Sequence, residues 1–439
     1  MTPRRQELRL LAAALCIGLV AFGIARANMD VTDGASAQQF LLVCLGALLT
    51  HLGVRRFAPL ADPVLLPTVV VLNLLGLVML HRLDVADLAR AVRQGAAAPS
   101  QTFETQTAWT LLGMSLALAV LVLLKDHRIL QRYTYTSMVA GLALLLMPLL
   151  PVVGTTVNGA RLWVRIGTHS FQPGEFAKFA LAIFFAGYLV LKRESLASIR
   201  VRRWRLGWPR PRDLGPILVS WLMSLAILVF ERDLGMSVLF FGMFIVVLYM
   251  ATSQRTWLVL GAVLLITGSA LAWLAFGHVR VRFAIWIDPF AYADAQGYQI
   301  VQSLYGLASG GMFGTGLGAG FPYIVPFAKS DFILSALGEE LGYVGIAAVF
   351  MCYAIIVERG LRIGMRTRDV FGQLLASGLV VVLGLQTFLV AGGVTRLIPL
   401  TGLTTPFLSA GGSSLVVNWI IIGVLLRMSD AANRRSVDA

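Results

Sequence analysis

The sequence predicts an all-α polytopic membrane protein, with about twelve transmembrane helices in one bundle and a large outer loop between spans nine and ten. Three observations lead there. Of the 439 residues, 58% are hydrophobic and 13% charged, roughly half the charged share of a soluble domain. Apolar runs of about 17 to 22 residues recur along the chain, the length that crosses ~30 Å of hydrocarbon. These runs lack barrel-type alternation, and a helix satisfies its own backbone hydrogen bonds in lipid.

In order, the spans are 8–26, 37–53, 63–81, 107–125, 135–153, 176–192, 214–230, 235–251, 256–276, 343–358, 371–391 and 410–427. The first lies in "TPRRQELRLLAAALCIGLVAFGIARAN", whose basic start, apolar stretch and Ala-Arg-Ala also fit a cleavable signal peptide. Its apolar stretch is long for a signal, and keeping it gives an even number of crossings, so an uncleaved anchor is expected. Arg55 and Arg56 follow the second span, the run "KRESLASIRVRRWRLGWPRPR" follows the sixth, and "RMSDAANRR" follows the twelfth. With a cytoplasmic N-terminus these segments all face inward, where Lys and Arg concentrate, so both termini are cytoplasmic. The basic run, with Trp204 and Trp208, reads as an interfacial anchor.

Topology and attraction to anionic lipid account for the net charge of +14, so nucleic acid is not an expected partner. Cys16, Cys44 and Cys352 fall inside predicted spans, which argues against a disulfide framework. The five histidines are scattered without paired spacing, which argues against a His/Cys metal centre.

Three outer segments are long enough to build something: 82–106, 154–175 and 277–342. The first is polar and reads as a solvated loop. The last is rich in aromatics and glycine. Within it Gln299, Gln302 and Ser303 form one polar helical stripe, and seven glycines fall between Gly306 and Gly320. Neither a P-loop nor a GxGxxG pattern fits. Irregular backbone of this kind survives at a membrane only where protein or water satisfies it. A glycine-rich outer loop on a rigid bundle is the place to look for a site.

The ionisable candidates gather at outer helix mouths. In "SFQPGEFAKFA", Glu175 sits in a first helical turn with Lys178 on the same face inside the span. They are either a self-neutralising pair or the polar floor of an anionic-substrate site. Asp233 of "VFERDLGMS" is either a helix cap or a substrate contact. Arg161 and Arg165 run against the positive-inside trend, which suggests an anionic partner such as a lipid phosphate. Arg396 stands beside a Pro/Gly-broken, Ser/Thr-rich stretch that leads through Ser413 into the last span. Finally, "AKSDFILSALGEELGY" holds Lys329, Asp331, Glu339 and Glu340. Asp331 lies nearer the outer aqueous edge, at the start of a short helix running into span ten, as its N-cap or as a reactive group. Glu339 and Glu340 look structural.

Together "GARLWVRIG…FQPGEFAK", "ERDLGMS", "GYQIVQSLYGLASGGMFGTGLG", "SDFILSALGEELGYVG" and "LTGLTTPFLSAGGSS" closely resemble the SEDS proteins, the bacterial RodA/FtsW shape, elongation, division and sporulation family. The resemblance covers approximately residues 60–430. It implies a SEDS core at 63–430, preceded by a two-helix addition at 1–62 similar to the actinobacterial RodA-like branch and followed by a short cytoplasmic tail at 431–439. Gly174 stands where the family commonly has Ser, Ser330 where Thr is frequent, and Ala410 where Tyr is common. None of the three removes an ionisable group.

The implied activity is that of a peptidoglycan glycosyltransferase. It polymerises lipid II, a disaccharide-pentapeptide on undecaprenyl pyrophosphate, at the outer face of the bacterial cytoplasmic membrane. The family's essential outer-loop Asp matches Asp331, with the implied role of general base toward the acceptor sugar 4-hydroxyl. Arg161, Arg165, Lys178, Lys329 and Arg396 are candidates for steadying the pyrophosphate. A divalent cation (Mg or Mn) is a further candidate; no covalent cofactor is expected. The implied partners are a class B penicillin-binding protein and other elongation or division machinery. A lipid II flippase and a non-catalytic scaffold are the competing readings. The short tail leans toward an elongation role.

Overall fold

The structure is a computed structural model that describes residues 3–151, 153–157, 160–167, 169–197 and 215–437. Most of the basic run expected to anchor at the interface, including Trp204 and Trp208, lies outside the described residues. The helices are α1 Pro3–Asn28, α2 Gly34–Phe57, α3 Leu65–Gln94, α4 Thr102–Leu123, the single turn α5 Ile129–Arg132, α6 Thr134–Leu146, α7 Pro173–Ala197 and α8 Gly215–Phe230. They continue as α9 Leu234–Thr252, α10 Arg255–Ala275, α11 Gly277–Ile287, α12 Tyr298–Gly310, α13 Ile333–Arg366, α14 Val370–Val394 and α15 Gly412–Val437.

Among the described residues, ten helices are long and apolar enough to cross a membrane. Two shorter apolar ones, Thr134–Leu149 and Leu218–Ile227, occupy the places of predicted spans five and seven. The chain is thus an integral membrane protein, mostly helical. α2 shows why lipid is the solvent. Phe40, Val43, Ala47, His51 and Val54 are buried on one face, while Leu41, Leu45, Leu49 and Leu52 are exposed on another. A surface that apolar is stable against hydrocarbon, not water.

Two expectations need correction. The segment 82–106 is not a solvated loop: α3 runs on to Gln94, leaving only a short connection before α4. It can continue because Arg82 and Asp84 are buried there against partners described below. Residues 154–171 carry the strands β1 Gly154–Val157, β2 Ala160–Ile166 and β3 His169–Phe171, an antiparallel sheet in the order β1-β2-β3. In the expected tail, α15 stays helical to Val437.

The chain divides into two compact units: Met1–Lys125 with Ala284–Arg359 and Gln386–Ala439, and Asp126–Phe283 with Gly360–Leu385. In the first, α4 packs on α15 and α2, and α1 packs on α3. Trp419 is fully buried there and donates Nε1–H to Asn73 Oδ1 at 3.1 Å, polar glue inside apolar packing. Gly76 lets α3 pass hard against backbone: a Cβ there would stand 2.6 Å from the Leu408 carbonyl oxygen and 2.8 Å from its Cα. Gly76→Ala is expected to cost about 1–3 kcal/mol by overpacking. Thermal unfolding in detergent checks this, and an unchanged Tm would refute it. In the second unit α6 packs on α7, and α7 and α8 on α9, around Phe185, Phe240 and Phe244.

Candidate active site

In the first unit, Asp331 is half-buried in the turn that leads into α13, just before the fully buried Phe332 and Ile333. Its neighbours are tied down from two directions. Lys329 Nζ lies 2.7 Å from Asp84 and 2.6 Å from Asp87, both on α3. Burial pulls the Lys329 ammonium down, but Asp84 and Asp87 together outweigh it and hold the group above the ordinary lysine range. On the other side, Ala410 N–H donates to the Lys329 carbonyl at 2.7 Å, and Ser409 Oγ donates to the Ser330 carbonyl at 2.6 Å. Gln106 on α4 closes the set, donating to the Ser409 carbonyl at 3.0 Å and accepting from Gly411 N–H at 3.1 Å. The result is a carboxylate on a short, braced turn, which is what a positioned proton acceptor needs.

The glycine-rich segment is held by the other two acids of the same stretch. Gly342, at φ 69°, breaks α13, so the carbonyls of Glu339 and Glu340 lose their helical donors. Thr315 and Gly316 N–H take those places at 2.9 and 3.0 Å. The stranded Tyr343 and Val344 N–H donate in turn to the Gly311 and Met312 carbonyls. The side chains extend this exchange. Glu339 accepts from Phe321 N–H at 2.6 Å, and Glu340 accepts from Gly318 N–H at 2.9 Å. Arg82, buried on α3, reaches Glu340 at 3.0 Å and the Gly320 carbonyl at 2.7 Å. An irregular loop with backbone groups away from water is satisfied here almost bond for bond.

The second unit holds its own charged cluster. Glu175 opens α7 and pairs with Lys178 at 2.5 Å, both almost wholly buried. Asp233 caps α9, accepting from Met236 N–H at 2.9 Å. Burial pushes its carboxyl up to about 6, with Met236 N–H and Arg282 pulling the other way. Burial, and then Asp233, push the neighbouring Glu231 up to about 8. The Glu231 carbonyl also takes Arg161 N–H at 3.3 Å, which ties β2 to this corner.

Both carboxyls bind a proton more tightly folded than unfolded. Their stabilising effect is therefore present below about pH 4 and lost as pH rises through about 6 for Asp233 and about 8 for Glu231. Tm is expected to fall by several degrees between about pH 5 and pH 8.5, and to fall less in Glu231→Gln. Parallel Tm profiles for the two proteins would contradict this.

The remaining candidates are dispersed. Arg161 and Arg165 are exposed on one face of β2. Arg165 lines a shallow cavity of about 580 Å³ with Thr155, Thr156, Trp163 and Ser170. Gln299 is half-buried on α12. Ser303 is fully buried, and its carbonyl accepts from Ser335 Oγ at 2.8 Å. Ser413 is buried in the first turn of α15. Arg396, itself at φ 61°, donates to the Trp286 and Ile287 carbonyls, while Trp286 Nε1–H donates back to the Arg396 carbonyl. That guanidinium secures the end of α11. Sequence reasoning missed Arg82, Asp84, Asp87, Gln106 and Ser409. The signal available was the charged "HRLD" at the end of an otherwise apolar run.

The described residues contain no group of three or more His, Cys, Asp or Glu side chains placed to hold a metal ion.

Membrane-spanning helices that carry a braced carboxylate and a latched glycine-rich loop define a polytopic membrane protein. The family model described as "Cell cycle protein", which unites FtsW, RodA and SpoVE, matches residues 63–434, and the chain belongs to that family. The peptidoglycan glycosyltransferase RodA of Mycobacterium tuberculosis H37Rv is 48% identical over 437 residues, spanning 99% of this chain and 92% of the relative. A chain from a peptidoglycan synthase complex that coordinates polymerization and crosslinking is 27% identical with a TM-score of 0.61, covering 80% of this chain and 97% of its own. The rod shape determining protein RodA of Thermus thermophilus is 25% identical with a TM-score of 0.56, over 84% of this chain and 96% of its own.

Proposed function

We infer that this chain is a peptidoglycan glycosyltransferase that polymerises lipid II at the outer face of the bacterial cytoplasmic membrane, with Asp331 as general base. The enzyme class follows from full-length similarity to glycosyltransferases of the same family. The observation that carries the site assignment is the bracing of Asp331's turn by Lys329–Asp84/Asp87 and Ser330–Ser409.

In the reaction, the Asp331 carboxylate takes the proton of the acceptor sugar 4-hydroxyl as that oxygen attacks the donor's anomeric carbon. The bond from that carbon to the pyrophosphate oxygen breaks, and undecaprenyl pyrophosphate leaves. The leaving group already carries charge, so it needs electrostatic support more than a proton. Lys329, Lys178 and Arg396 are each engaged within the protein. Arg161 and Arg165 are exposed on β2 of the second unit, where Arg161 Nε donates to Thr156 Oγ1 at 3.4 Å. No step is routed through a divalent cation.

A class B penicillin-binding protein is the partner this reading requires for crosslinking, which fits the similarity to a chain of a synthase complex. Cytoplasmic termini fit the basic residues that flank the inner ends of the spans. The test is polymer formation from purified lipid II by wild type and Asp331→Ala, each with its partner synthase. Wild-type polymer lost in the variant supports the assignment. Polymer from both rejects the base, and polymer from neither favours a flippase or scaffold.

A further inference from the structure

The α1–α2 turn, the outer half of α3 and the start of α4 enclose a second cavity of about 580 Å³ within the first unit. Part of its wall, Val31 to Gln39, precedes residue 63, where the family match begins. That wall is fixed by Arg26, which donates to Ser36 Oγ at 2.9 Å and to the Asp33 carbonyl at 2.6 Å. Asp33, Asp84 and Glu104 line the space; Asp33 lies 3.7 Å from Arg26 and Asp84 2.7 Å from Lys329, so Glu104 is, among the described residues, the carboxylate that faces it without a paired cation. Gln39 and Gln101 add amide acceptors, and the ring of Phe103 forms part of the lining. His81 also lines it, is only 5% exposed, and leaves Nε2 without a hydrogen-bond partner. A buried imidazole nitrogen left unpaired costs free energy until a ligand supplies the bond.

Carboxylates, carbonyl acceptors, an unpaired imidazole nitrogen and an aromatic ring together suit a donor-only cation, above all a primary ammonium. The volume suits a small group with its attached chain. The cavity also adjoins the reacting turn, since its Asp84 is the carboxylate that grips Lys329, two residues before Asp331. An extended five-residue peptide spans roughly 17 Å, ample for a peptide on a sugar at Asp331 to enter a space that begins at Asp84.

We propose that this cavity is a subsite for the side-chain ammonium of the peptide carried by the substrate, built jointly by the two N-terminal helices and the family core. The proposal rests on the polymerase reading above.

The test compares lipid II whose peptide bears a free lysine amine with the same lipid II N-acetylated at that amine, using the full-length protein with its partner synthase. Wild type is expected to show a KM about ten-fold lower for the free amine, the effect of one charge-assisted contact, with kcat within about two-fold. Glu104→Gln, and Ser100→Trp in the exposed connection before α4, are expected to bring the two KM values together. Equal KM values in wild type, or a preference surviving both variants, overturn the subsite while leaving the polymerase reading intact. Absence of polymer from either substrate overturns that reading and the subsite with it. Phosphatidylethanolamine that co-purifies with wild type and is lost in Ser100→Trp assigns the cavity to a lipid headgroup instead, and overturns the proposal.

Discussion

Asp331→Ala is expected to lower lipid II polymerisation by about 10²- to 10⁴-fold, the usual contribution of a positioned general base. Folded yield should stay near wild type. The carboxylate is half-buried on a turn whose position is set by its neighbours: the Lys329 and Ser330 carbonyls are held by Ala410 and Ser409, and Lys329 Nζ by Asp84 and Asp87. Removing the Asp331 side chain leaves each of those contacts in place. The loss should therefore fall on kcat, with KM for lipid II little changed, because the base acts in the transition state and not in ground-state binding. Asp331→Asn should resemble Ala, since an amide cannot take the proton. Asp331→Glu should fall between, because its longer arm misplaces the carboxylate on a braced turn. Steady-state polymer formation, measured beside size-exclusion profiles of each variant, reads both quantities. A variant that loses activity only in proportion to its folded yield would remove Asp331 from the chemistry.

How far the sequence reveals this arrangement depends on the range of the interactions. The helices are legible because each apolar run is a local signal and the bilayer fixes its length. The turn that holds Asp331 is legible because its motif is short and contiguous. The partners of that motif are not: Arg82 lies 258 residues from Glu340, and the local signal at "HRLD" marks a charged site without naming what it pairs with. The same distance made 82–94 look like a solvated loop: charged residues suggest water, whereas here they extend α3 because acids and bases from the outer loop meet them. Arg396 shows the opposite case. A cation beside a broken helix reads as a ligand contact, and here the guanidinium also meets the Trp286 and Ile287 carbonyls that the end of α11 leaves without helical donors. The sheet at 154–171 was legible and overlooked. In "ARLWVRI", Arg161 and Arg165 share one face and the buried Val164 the other, a period of two, and Asn-Gly at 158–159 is a hairpin signal.

Arg82→Ala should be the most destabilising single change outside the reacting turn, costing about 3–5 kcal/mol as a buried ion pair loses one partner. The pair is buried on both sides, with Arg82 at 5% and Glu340 at 1% exposure, so neither charge can fall back on water. Arg82 also holds the Gly320 carbonyl, and Glu340 also holds Gly318 N–H, so losing either loosens the glycine-rich loop as well as the pair. Glu340→Gln should be nearly as harmful, because the amide can still meet Gly318 N–H but leaves the guanidinium buried without its counter-charge. The double variant Arg82→Ala with Glu340→Gln should recover part of the loss, since no uncompensated charge then remains. Detergent thermal stability and folded yield of the four proteins measure this cycle. Glu340→Gln should lower folded yield more than Asp331→Asn does, which separates the acid that holds the loop from the acid proposed as the base. Equal yields with activity lost in both variants would place Glu340 in the chemistry and refute its structural role.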